Sequence, residues 1–183
     1  MAQIRGAAVL NTLRFVRERY GPGAHEQVLQ QVPRENWGTF LGSLREASWE
    51  PVADLVAYME AAQRLLAPDD AGFFKRLGVF TGQHTRTSAF AALLGDDPAT
   101  AGQRAQVLWR SFYDAGRLEI AEKGERWLVA HIVDFPDTRR SLCQRITGFW
   151  EGCFDEGGQR RTQVVEERCV LDGAPFCVMR VTW

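Results

Sequence analysis

The sequence lacks the features that mark several common classes of protein. Its 183 residues include only two lysines beside 20 arginines, and the net charge of −1 leaves no positive excess for binding nucleic acid or an acidic membrane. No apolar run reaches the 18 or more residues of a membrane span, and the first residues lack the pattern of a signal peptide. We therefore expect a cytoplasmic protein with no membrane span and no nucleic-acid partner.

Catalytic and nucleotide-binding motifs are also missing. The sequence contains no Gly-x-Ser-x-Gly nucleophile motif and no Walker loop, and Gly21-Pro22-Gly23 lacks the third glycine of a dinucleotide site. Three histidines leave few groups for general acid–base chemistry. We therefore expect a protein that is not an enzyme.

The order of helical and extended patterns predicts an α+β fold. Apolar residues recur at helical spacing through most of residues 1–116. Residues 117–183 contain two hairpins separated by one amphipathic helix, which starts near Asp137 and ends at Gly157-Gly158. The expected architecture is a single domain, 1–183, with N-terminal helices packed on a four-stranded antiparallel sheet in the order ββαββ.

Two of the predicted N-terminal helices are long. One follows Asp69-Asp70, runs through Leu94, and is expected to kink near Gly78 to Gly82. The next runs from Ala99 to Ala115. Ser48-Trp49-Glu50-Pro51 is interpreted as the start of an earlier helix.

All four cysteines lie in the last part of the chain, and none forms a close Cys-x2-Cys pair. In a reducing compartment they are either buried apolar thiols or metal ligands. If the last hairpin turns at Gly173, Cys169 and Cys177 face one another across its two strands. They are the first two candidate ligands of a zinc ion, which needs three or four ligands.

The remaining zinc ligands would come from neighbouring elements. Cys153, on the apolar face of the amphipathic helix, is the third candidate, and Glu166 or His131 is the fourth. Cys143 is about 280° around the helix from Cys153, so we do not expect it to join this site.

One short string resembles a family signature. Glu166-x2-Cys169-x3-Gly173-x3-Cys177 is similar to the end of the small ligand-binding domain named after 4-vinyl reductase. That domain resembles the haem nitric-oxide-binding domain and the Golgi transport-particle subunits in fold. The first 65 residues and the chain length most resemble an uncharacterised paralogous family of myxobacterial proteins. The resemblance implies a small apolar ligand between helices and sheet, zinc at such cysteines in some members, and homodimers.

The same resemblance raises the question of haem. The related haem domain uses a proximal histidine and a Tyr-x-Ser-x-Arg clamp for the propionates, and none of the three tyrosines here is followed by that pattern. His84 lies in a mostly apolar helix, where a histidine is more often a hydrogen-bonded core residue than a haem ligand. The sequence therefore argues against haem and predicts a haem-free domain that needs no cofactor, with zinc as the one candidate ion.

Aromatic residues are abundant, with six tryptophans and eleven phenylalanines. Several fall on elements expected to surround the space between sheet and helices, where they either fill the core or line a ligand pocket. The pocket candidates are Trp109, Phe112, Trp127, Phe149 and Trp150.

Three functional hypotheses follow. The first is a non-enzymatic module of bacterial signalling or regulation, acting as a small-molecule sensor or a protein-interaction adaptor, so that its partner is a small apolar ligand or another protein. The second, implied by the resemblance, is an enzyme or accessory protein acting on a tetrapyrrole vinyl group. The third is a structural subunit of a larger complex, which would expose a large apolar patch.

Overall fold

The structure is a computed structural model that describes residues 1–88, 90–94, 98–154 and 162–183. Six strands lie in these ranges: β1 Gln3–Arg5, β2 Trp49–Pro51, β3 Arg117–Lys123, β4 Trp127–Val133, β5 Gln163–Arg168 and β6 Cys177–Thr182. The same ranges contain nine α-helices: α1 Gly6–Tyr20, α2 Ala24–Leu29, α3 Gly38–Leu41, α4 Val52–Leu66, α5 Phe73–Arg86, α6 Ala91–Leu94, α7 Pro98–Gln103, α8 Ala105–Phe112 and α9 Arg140–Phe154.

The predicted α+β architecture is confirmed. Strands β3, β4, β6 and β5 form, in that order, an antiparallel sheet, and α9 lies between the two hairpins in the sequence. Alternate residues such as Leu128, Ala130 and Ile132 belong to the apolar core shared with the helices, as the two-residue period of a strand requires. The predicted end of α9 at residues 157–158 lies outside the described residues.

A second, two-stranded sheet was not predicted. β1 pairs antiparallel with β2, in the segment that the sequence suggested as the start of a helix. Ile4 also forms an isolated bridge with Tyr113, just after α8. The N-terminal strand thus connects the first helices to the end of α8.

Both long helices of the prediction are interrupted. The first ends at Arg86, before the short helix α6, and the second divides into α7 and α8 at Arg104. The helix α5 is continuous across Gly78 and Gly82, where the sequence suggested a kink. These glycines lie in the contact with α9.

Glycines let α5 and α9 approach closely. Gly78 and Gly82 on α5 face α9, and Gly148 and Gly152 on α9 face α5. A Cβ atom at any of the four positions would lie 1.9–2.2 Å from a carbonyl oxygen of the other helix. The backbones are therefore in direct contact, which fixes the position and rotation of α9. Among the described helices, none is both long enough and apolar enough to cross a lipid bilayer.

Candidate functional site

Three cysteines and one glutamate converge where α9 meets the turn of the last hairpin. Cys143 comes from the first turn of α9, Glu166 from β5, and Cys169 and Cys177 from the two ends of the turn. Their ligand atoms all lie within 4.8 Å of one another, and the three cysteines are buried. Gly173, with φ of 87°, provides the left-handed residue that lets the chain turn between the two cysteines.

The spacing of the sulfur atoms matches a tetrahedral metal site. Cys143 Sγ lies 3.9 Å from Cys169 Sγ, and Cys177 Sγ lies 3.6 Å from Cys169 Sγ. Sulfurs bound at about 2.3 Å to one zinc ion, at tetrahedral corners, are about 3.8 Å apart. The cluster can therefore hold zinc with little movement, with the Glu166 carboxylate or a water molecule as fourth ligand.

The three thiols differ in acidity. A hydrogen bond from Cys143 lowers the pKa of Cys177 to about 6, and the same bond, together with burial, raises the pKa of Cys143. Burial raises the pKa of Cys169 to about 11. Cys177 is therefore the most acidic thiol of the cluster, and a thiolate is the form that binds a metal.

The structure brings Cys143 to the hairpin in place of Cys153, which corrects the ligand set derived from the sequence. The prediction placed the hairpin beside the last turns of the helix, whereas the hairpin turn lies against its first turn. Cys153 instead lies in the contact with α5, where its carbonyl oxygen accepts a hydrogen bond from Arg86 and burial raises the pKa of its thiol. His131, the other candidate, stacks on Phe176 with ring centroids 4.3 Å apart. Metal binding itself stays a prediction.

The opposite side of α9 lines an apolar cavity of about 30 Å³, bounded also by β1, α1 and α8. Four of the five aromatic pocket candidates contribute to its wall: Trp109, Phe112, Phe149 and Trp150. Trp127 does not, because its ring lies under the guanidinium of Arg180, 5.1 Å away. Whether the cavity binds a ligand stays a prediction.

Trp150 separates this cavity from a second one. The second cavity, of about 20 Å³, lies between α7, α8 and the inner face of the sheet, and Trp150 lines both. An open groove of about 330 Å³ between α7 and β3 shares Gly102, Ile120 and Leu128 with the second cavity. The groove and the two cavities are thus neighbours between helices and sheet, with Trp150 in the wall of both cavities.

Arg145 is a buried cation at the wall of the first cavity. Its side chain is 3% exposed, and its Nε atom has no hydrogen-bond partner. The Tyr113 phenol is its side-chain partner, and burial lowers the pKa of Arg145 and raises that of Tyr113. No carboxylate among the described residues forms an ion pair with it. Arg145 was not among the residues predicted from the sequence, although an arginine among the apolar positions of an amphipathic helix is a visible signal.

Comparison with known proteins gives matches in structure only. No family model matches the sequence, and no curated protein matches it. An H-NOX protein from S. oneidensis in the Fe(II)NO ligation state superposes with a TM-score of 0.73 at 12% identity, over 97% of this chain and 98% of that one. An oxygen-binding H-NOX domain related to soluble guanylate cyclases gives 0.67 at 13% identity, over 98% and 94%. A structure from a study of heme distortion in the H-NOX family gives 0.68 at 12% identity, over 98% and 95%.

These matches contradict two expectations from the sequence. The chain was expected to be haem-free and of the vinyl-reductase type, whereas the solved structures that share its fold are H-NOX proteins, among them one with iron and nitric oxide bound and one from work on heme distortion. The missing Tyr-x-Ser-x-Arg string tests only one local way of holding propionates, and the packing of a fold persists when such a string is absent. The expected likeness to the haem nitric-oxide-binding domain is confirmed for the fold alone, because the superposition shows that this chain has the fold of H-NOX domains.

Proposed function

We propose that this protein is a sensor module that binds a small molecule between its helices and its sheet, and that it acts by binding, not by catalysis. The observation that carries the proposal is the aromatic cavity beside α9, in a fold whose solved examples include a nitric oxide complex and an oxygen complex. An apolar cavity with a few polar groups is the usual form of a small-molecule site.

Haem is the group that this fold implies, and the residues of the cavity match it in chemical character. The aromatic wall suits an apolar macrocycle, and Arg145 supplies a cation for a propionate. The phenol of Tyr113 is the side-chain partner of this guanidinium at the cavity wall. None of the three histidines lines this cavity. When bound, such a group would supply a site for a diatomic gas.

A ligand of that size requires the cavity to open. A volume of about 30 Å³ accommodates only one or two water molecules. Displacement of Trp150 would join the two cavities and connect them to the groove at β3. Because Trp150 lies on α9, ligand entry would change the contacts of this helix, and we propose this change as the signal passed to a partner.

We further propose that the cysteine cluster binds zinc in a structural role. The ion would tie the hairpin turn to the first turn of α9 through Cys143, Cys169 and Cys177, with Glu166 as the fourth ligand. A fixed first turn would let α9 respond to a ligand as a rigid element.

The proposal is tested by titrating the purified protein with haemin, following visible absorption and the quenching of tryptophan fluorescence, beside native mass spectrometry for a co-purified organic ligand. Ala8 lies in the cavity wall and is 5% exposed, so Ala8→Leu fills the space without changing charge. The matched control is Ala71→Leu, at an exposed position outside the cavity. We expect Ala8→Leu to weaken binding at least about tenfold and Ala71→Leu to leave it unchanged. Absence of both haemin binding and any co-purified ligand would contradict the proposal.

A further inference from the structure

The guanidinium of Arg145 is charged, buried and lacks an anionic partner. An arginine side chain stays protonated in a protein, so it cannot escape the cost of burial by losing its proton. An unpaired buried charge destabilises a fold by several kcal/mol after relaxation. Most buried arginines avoid this through a carboxylate, but the one ionisable group that acts on Arg145 in the described structure is the phenol of Tyr113.

The buried guanidinium lies at the wall of the cavity. Arg145 is one of the residues that line it, and its Nε–H has no acceptor in the protein. The other walls are apolar, among them Ile4, Ile146 and Phe149. A ligand in this space therefore meets hydrocarbon on most sides and one positively charged side chain, whose Nε–H has no acceptor in the protein.

We propose that the ligand of this site is an apolar molecule bearing a carboxylate, which accepts hydrogen bonds from Arg145 and Tyr113. The proposal rests on the proposed sensor function and specifies its ligand class. One carboxylate balances one guanidinium, and its two oxygens match the planar fork of arginine. A phosphate dianion would leave a net negative charge in apolar surroundings, where no second cation lines the cavity.

A carboxylate on an apolar ligand could belong to a porphyrin or to a fatty acid, and paired probes distinguish the two. Protoporphyrin IX and its dimethyl ester share a macrocycle but differ in the charge of the propionates, and palmitate and methyl palmitate differ likewise in the fatty-acid series. Dissociation constants are measured for each pair by tryptophan fluorescence. We expect one acid to bind at least about tenfold more tightly than its ester, as a charge-assisted hydrogen bond provides.

Substitution of Arg145 tests whether this residue causes the preference. Arg145→Met keeps the length of the side chain and removes the charge, and Arg145→Lys keeps the charge but loses the fork. The control is Arg110→Met, because Arg110 is exposed on α8. We expect the acid-over-ester preference to disappear in Arg145→Met, to persist in part in Arg145→Lys, and to be unchanged in Arg110→Met.

The outcomes separate the inference from the proposed function. Equal binding of acid and ester would overturn the carboxylate assignment while leaving the sensor function in place. A preference that survives in Arg145→Met would overturn the role of Arg145. Failure of all four probes and of haemin to bind would overturn both proposals.

Discussion

The two faces of α9 contribute to two candidate sites of different chemistry. Cys143 and Arg145 are two residues apart and point about 200° from one another around the helix. On one side, three sulfurs and a carboxylate form a set of ligands suited to a cation. On the other side, a guanidinium faces an apolar cavity that suits an anion. The groups proposed for the two sites therefore have opposite charges.

The two sites differ in how they tolerate being empty. The thiols can hold protons when no metal is present, and the raised pKa values of Cys143 and Cys169 favour that form. Arg145 has no neutral form to adopt, so its burial destabilises the empty protein at every pH. A buried unpaired arginine is expected in a core where the residue serves binding.

The largest expected effect is on the helix that both sites share. In Gly148→Ala the new Cβ would lie 1.9 Å from the carbonyl oxygen of Lys75, so α9 must move away from α5. We expect the free energy of unfolding to fall by at least about 3 kcal/mol, at the upper end of overpacking effects, and both sites to weaken. Chemical denaturation measures this. The control is Gly38→Ala, where a Cβ meets nothing within 4 Å. Equal stability of the two variants would mean that the helices are not in close contact.

The second prediction concerns the cation site alone. Cys169→Ala should weaken zinc binding at least about 100-fold, because second-shell partners alone contribute 10–100-fold. Cys153→Ala is the matched control, since Cys153 is equally buried but lies outside the cluster. Competition with a chromophoric chelator gives both affinities. If Cys153→Ala lost zinc as Cys169→Ala does, the sequence-derived ligand set would be restored.

The third prediction concerns the anion site, where the substitution is expected to raise stability and not to lower it. In the ligand-free protein, Arg145→Met should raise the free energy of unfolding by about 2 kcal/mol, because an apolar side chain replaces an unpaired buried charge. Arg110→Met, at an exposed position, should change it by no more than about 0.5 kcal/mol. Thermal and urea unfolding in parallel provide the measurement. A loss of stability in Arg145→Met would show that the guanidinium is already compensated inside the protein.

The smallest predicted effect is a difference of one in the number of protons released when zinc binds at two pH values. Because the pKa of Cys177 is about 6, zinc binding at pH 8 should release two protons, from Cys143 and Cys169, and at pH 5 it should release three. Calorimetry in buffers of different ionisation enthalpy counts the released protons.

In the metal-free protein, the lowered pKa of Cys177 also affects stability. The ionised thiol stabilises the fold at pH values above the usual pKa range of cysteine, and this contribution is lost as the pH falls through 6. The same proton count at both pH values would rule out a shifted Cys177.

Periodicity predicted the elements well where packing agreed with local pattern. The two-residue alternation of β4 and the helical spacing of α9 each reflect a face that must be buried, so these elements and the sheet they form were accessible from the sequence. The breaks at Arg86 and Arg104 were not, because apolar residues at helical spacing continue across both. The pair β1 and β2 was missed, since three-residue strands carry too short a pattern to recognise.

The sequence predicted which types of residue form the candidate sites better than it predicted which of these residues meet in space. The spacing of Cys169 and Cys177 around a turn marked the hairpin as a place where two thiols meet, and their sulfurs lie 3.6 Å apart. The choice between Cys143 and Cys153 depended on which end of α9 lies against the hairpin. Nothing local to the helix contains that information, because both cysteines are equally compatible with a buried face.

The sequence by itself determined the class of fold, through the periods of its apolar residues and the glycine at the hairpin turn, since burial of one face acts on each element separately. Tertiary structure alone decided the rotation of α9, because this depends on four glycines from two distant helices meeting backbone to backbone. That rotation turns Cys143 toward the hairpin and Arg145 toward the cavity. The chemistry of both candidate sites therefore follows from a helix contact that becomes visible only when the chain is folded.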